Sequence, residues 1–204
     1  MRYSAGGLAT RVLLTVCLGL TAAHAQVFTS TLSGAAENPA VVTTASGSTI
    51  VTLNQAGHTI RVQSNFTGLS SNTTASHLHC CQPPPANTGV ATTTPSFAGF
   101  PLGVQAGTFD QTYNLLSTAS YNPAFVAANG GTAAGAEAAL VSGILAGQTY
   151  INIHTANFPG GELRGQLLVA ASGVPIPALT EGLLALLGVL LVGGTWFAWG
   201  RRQA

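Results

Sequence analysis

The chain contains no lysine, a single methionine, three cysteines and very few charges: 5% of its 204 residues are Asp, Glu, Lys or Arg. Between residues 26 and 170 the only fixed cations are Arg61 and Arg164, set against Glu37, Asp110, Glu137 and Glu162. That balance offers no basic stripe for a phosphate backbone, so nucleic-acid binding is excluded. A nucleophile elbow, a phosphate-binding loop and a metalloprotease motif are also missing. Glu162 and Arg164 sit two residues apart and read as a structural pair, with no second carboxylate or base in sequence for acid–base work. Asp110 and Glu137 read as a strand-edge solvator and a helix-surface residue.

Long apolar runs are absent from the middle of the chain, although 47% of the whole is hydrophobic. The surplus lies at the two ends. Residues 1–25 carry Arg2 and Arg11, then an apolar stretch too short to span a bilayer, then Ala23-His24-Ala25. This is the pattern of a cleaved signal peptide for a Sec-type route, and it removes Cys17 and His24 from the mature protein. Residues 182–200 are apolar and reach about the length of a membrane-spanning helix. Arg201 and Arg202 follow, a basic tail over residues 201–204 that the positive-inside rule keeps cytoplasmic, with the domain outside. Residues 171–181 form a linker. There Ile176, Pro177, Leu179 and Glu181, followed by the apolar helix and the arginines, resemble the IPTL variant of the PEP-CTERM sorting signals, with Ala178 where that motif carries Thr. The resemblance implies an exosortase-type membrane transpeptidase as partner. The helix would then be a holding anchor, and its removal would release the domain to the cell surface or matrix.

What lies between, residues 26–170, is rich in Thr, Ser, Asn, Gly and Ala and is long enough for one core. Short alternating segments predict strands over 27–33, 48–55, 58–66, 73–80 and 107–116. The second and third form a hairpin about Ala56-Gly57. Residues 134–145 predict the one good helix, stopped by Gly147. The prolines and threonines of 82–103 predict a long loop, of a length that is functional or mobile.

The stretch YINIHTANFPGGELRGQL (residues 150–167) predicts two strands about a turn. Pro159 presets φ, and at least one of Gly160 and Gly161 takes a positive φ. Ile151, Ile153 and Thr155 fall on one face, and Tyr150, Asn152 and His154 on the other. This run resembles the closing motif of the CHRD domain, a module named for chordin and found in many bacterial exported proteins. Earlier landmarks agree in order: 28–34 with Glu37-Asn38-Pro39, Gly68-Leu69 with His77-Leu78-His79, and Leu145-Ala146-Gly147. The expected fold is mainly β, an antiparallel Greek-key β-sandwich with one short packed helix.

Few residues can carry chemistry. His77 and His79 share a strand face, and a sandwich could set His154 opposite them. Three neutral imidazoles would suit Zn or Cu. The plainer reading, preferred on the residues alone, makes each a hydrogen-bonded, half-buried strand residue. Cys80 and Cys81 are the only thiols left after export, in an oxidising compartment. A vicinal disulfide, free thiols and metal ligation, in that order, are the readings of the pair. Two functions follow: an envelope-anchored noncatalytic binding or matrix module, or alternatively a metal-binding (Cu/Zn) or redox protein using the histidines.

Overall fold

The computed structural model describes residues 25–170; the signal-peptide, linker, sorting-motif and membrane-helix expectations fall outside that range. Among the described residues no helix is long and apolar enough to cross a membrane.

Among the described residues eight strands and two α-helices follow in order: β1 (Gln26–Ser33), β2 (Ser46–Asn54), β3 (Thr59–Thr67), β4 (Thr73–Cys80), β5 (Gly107–Asn114), α1 (Pro123–Ala128), α2 (Ala133–Leu145), β6 (Thr149–Thr155), β7 (Leu163–Gln166) and β8 (Leu168–Val169). They form one antiparallel sheet in the order β4-β6-β7-β1-β2-β3-β5, with β8 on β1. The expected division into two sheets is therefore corrected. β1 pairs with β2 on one side and with β7 and β8 on the other, so hydrogen bonding runs on through the middle of the sheet.

The two-residue period still builds the core. Phe28 and Leu32 of β1, Val51 and Leu53 of β2, and Ile60, Val62 and Phe66 of β3 alternate with exposed or partly exposed neighbours. They join Leu78, Ile151, Ile153, Leu163 and Leu167 from the other half in a single cluster. A continuous sheet achieves this by curling, each large buried side chain contributing about 1.5–3 kcal/mol. The segment 89–105 fills the gap between the edge strands β4 and β5. Its backbone bonds to β4 through Ala91, Phe97 and Gly103, while Phe97 and Phe100 pack on Phe109 of β5. Much of the expected loop is thus pinned rather than free.

The helix α2 begins at Thr132, whose hydroxyl accepts from the Gly135 amide, the usual N-cap arrangement. It buries Ala136, Leu140, Gly143 and Ile144, and Gly147 ends it at φ +66. In the closing turn Gly161, not Gly160, takes the positive φ, +126. A Cβ there would strike the Asn152 amide and Glu37.

Candidate metal centre

β4 and β6 are hydrogen-bonded neighbours, with Ala75 opposite His154, His77 opposite Asn152 and His79 opposite Tyr150. His154 thus lies diagonally beside His77 on the same sheet face. The three histidines meet side by side rather than across a sandwich, which corrects the expected placement. One ring nitrogen from each comes within 4.8 Å of the other two.

Each ring has one nitrogen on a backbone carbonyl. His77 Nε2 lies 2.6 Å from the Pro95 oxygen, His79 Nδ1 2.8 Å from Thr88 O, and His154 Nδ1 2.9 Å from Pro159 O. A carbonyl only accepts, so each of these nitrogens carries the N–H. In a neutral ring the other nitrogen is then an unprotonated lone pair: Nδ1 of His77, Nε2 of His79 and Nε2 of His154. Burial is the largest influence on all three and favours the neutral form. It holds His77 and His154 below the ordinary histidine range and pushes His79 down to about 4.

Two of those lone pairs, His77 Nδ1 and His154 Nε2, are 3.3 Å apart. Nitrogens each ~2.05 Å from one tetrahedral ion would stand roughly 3.3 Å apart. His79 Nε2 is buried with no partner. The widest separation among the three requires a closure of at most about 1.5 Å to reach the same spacing. The donor set therefore fits a Zn or Cu ion, and the three carbonyls are the acceptors that orient such ligands.

Tyr150 stacks on His79, centroids 4.7 Å apart and planes 5° from parallel. Arg164 lies on Tyr150, its guanidinium carbon 3.6 Å from the ring centroid. Arg164 does not pair with Glu162 as expected; it donates to Asn87 Oδ1 at 2.8 Å and to Ala86 O at 3.0 Å. Glu162 is fully buried and accepts from Thr43, Thr155 and both the amide and hydroxyl of Ser70. Burial would raise its pKa, but these bonds outweigh it and hold the carboxyl below the usual range. Asp110, on the edge strand β5, pairs with Arg61, and Glu137 of α2 takes His58 as its partner.

Cys80 and Cys81 stay out of the histidine group: the ligand atoms that gather are the three imidazoles. Their sulfurs abut, and both lie where a Cβ on Gly143 of α2 would be. Cys80 is the last residue of β4, and Cys81 leaves the strand.

Sequence reasoning missed two partners of this site. Glu37, beyond β1, accepts from Asn152 Nδ2 at 2.6 Å, and its pKa is raised to about 7, mainly by burial and against the pull of Asn152 and Arg164. Tyr150 was legible only as a polar-face residue.

A family model described as CHRD domain matches residues 28–167. No curated protein and no solved structure matches the chain.

Proposed function

As a member of the CHRD domain family, this chain is, we propose, a noncatalytic module of the extracellular type whose distinguishing feature is a three-histidine site for Zn or Cu. The observation that carries the metal is the proton count. Three clustered rings give their N–H groups to Pro95, Thr88 and Pro159 and keep one lone pair each, two of them 3.3 Å apart and the third buried without a partner. Lone pairs at 3.3 Å repel unless a cation stands between them, and burial disfavours a proton in that role. A bound ion would supply Lewis acidity and a cross-link from β4 to β6. This chain's own residues orient the ligands, through the three carbonyls and the Tyr150 stack.

Export through a signal peptide at 1–25, the hold of a membrane helix at 182–200, and handling by an exosortase-type enzyme at the 176–181 motif belong to the same reading. Its support there is the sequence pattern. The oxidised state of Cys80 and Cys81 belongs to it as well, supported by the adjoining sulfurs.

Thermal unfolding with and without added Zn(II) or Cu(II) tests the site. Binding to the folded state alone stabilises by about 2.7 kcal/mol at a hundredfold excess over Kd. A melting temperature indifferent to both ions in the wild-type protein rejects it.

A further inference from the structure

We infer that metal occupancy at the histidine centre latches residues 82–89 over Arg164, and that metal loss uncovers this arginine. The inference rests on the metal reading above.

Residues 82–89 run across the polar face of β4, β6 and β7, and most of them are exposed. No residue of this strap belongs to the apolar core. Polar bonds hold it instead. His79 Nδ1 donates to Thr88 O at 2.8 Å, the Thr88 amide meets the Tyr150 hydroxyl at 3.3 Å, and Arg164 donates to Ala86 O and Asn87 Oδ1. Asn38 adds bonds with Pro85 O and from Asn87. Segments held this way open at low cost compared with core strands. Beneath the strap Arg164 is 3% exposed, and among the described residues its guanidinium makes no salt bridge with a carboxylate.

The coupling passes through one proton. A neutral imidazole carries its N–H on either nitrogen, and only the Nδ1–H form can donate to Thr88 O. A metal ion on Nε2 forces the proton to Nδ1 and polarises that N–H, strengthening the bond. Without the ion, Nε2 is buried with no partner. The tautomer with its proton on Nε2 then competes, and each time it forms the Thr88 bond is lost. The segment beyond Gly89 does not depend on this latch. Its anchors are backbone bonds to β4 and the buried Ala91 and Phe97.

The test is labelling of the purified full-length protein with an arginine-specific dicarbonyl reagent, followed by peptide mass spectrometry. Arg61, with its side chain about half exposed at 48%, is the internal reference. Three samples are compared: wild type loaded with Zn(II), wild type stripped by a chelator, and His154→Ala with Zn(II) present. His154 bonds Pro159 O and faces His77, with no hydrogen bond to a strap residue, so this variant removes a ligand and leaves the strap's own hydrogen bonds intact. Expected is slow Arg164 labelling in the loaded protein and a rise of about tenfold or more on stripping. Zn(II) should reverse the rise in wild type and fail to do so in His154→Ala. Arg164 equally protected in loaded and stripped wild type, with one Zn(II) bound per chain in the former, overturns the latch and leaves the metal site standing. Absence of Zn(II) binding by wild type overturns both. A cooperative thermal transition certifies that the His154→Ala sample is folded, and the stripped wild type answers the question without any substitution.

Discussion

His77 Nδ1 and His154 Nε2 face each other across 3.3 Å with no proton of their own between them, because each ring has given its N–H to a carbonyl. These carbonyls belong to segments far apart in sequence, Pro95 beside β4 and Pro159 in the closing turn. At His77 and His154 the carbonyls thus favour the tautomers that turn the two lone pairs toward each other, which is the preorganisation a ligand pair needs.

The histidines and Glu37 bend the stability of the metal-free protein in opposite directions with pH. The three imidazole pKa values are lowered on folding, so the unfolded chain binds protons that the folded chain refuses. Their contribution is complete above about 6.5 and is lost as pH falls toward about 4. Glu37 is raised from 4.5 to about 7, so its contribution is complete below 4.5 and is lost as pH rises through about 7. Melting temperature against pH, measured with a chelator present, should pass through a shallow maximum. In Glu37→Gln the alkaline decline should disappear, leaving a rise and then a plateau. A variant that still declines between about pH 6.5 and 8 would show that Glu37 is not the group responsible.

Gly161→Ala should destabilise the domain by about 1 kcal/mol or more, because φ is positive there and its Cβ would meet the Asn152 amide and Glu37. Gly160→Ala should be close to neutral, since nothing lies within 4 Å of a Cβ there. Chemical denaturation of the two variants side by side checks the assignment, and equal losses would refute it.

That turn marks how far the sequence could be read. Pro159-Gly160-Gly161 predicts a positive φ from local chemistry alone, and of the apolar residues read as the hairpin's core Leu53, Ile60 and Val62 are buried, whereas Ile50 is exposed because it is out of phase with Val51 and Leu53. His154 beside His77 was not legible, because strand order is settled by pairing between distant segments, and nothing near residue 154 says that β6 adjoins β4. The burial of Asn152 and Tyr150 was hidden for a related reason. Their face is covered by residues 82–97, whose composition reads as an open loop, and the carbonyls that fix the histidines lie partly in that cover. Glu37 could be placed only as a landmark after β1; its bond to Asn152 spans 115 residues.

Gly143→Ala should cost roughly 1–3 kcal/mol, since the added methyl would overlap the Cys80 and Cys81 sulfurs. The cost should shrink when the same change is made in a Cys80→Ala/Cys81→Ala background. A double-mutant cycle on unfolding free energies measures this coupling. A coupling of zero would mean that α2 does not rest on the sulfur pair.

Glu162→Ala should lower stability by about 3 kcal/mol or more, because it strands the hydroxyls of Thr43, Ser70 and Thr155 and the Ser70 amide around an empty site. Arg164→Gln should leave those bonds intact, since the two side chains do not pair. Additive losses in the double variant fit this separation, and strong coupling would restore the ion pair that the sequence suggested.

The most direct measurement is the metal content of the purified wild-type protein beside His154→Ala, both loaded with Zn(II), desalted together and analysed by elemental emission. The account predicts one ion per chain in wild type and none in a folded His154→Ala. Equal metal content in the two, whether one ion or none, would contradict it.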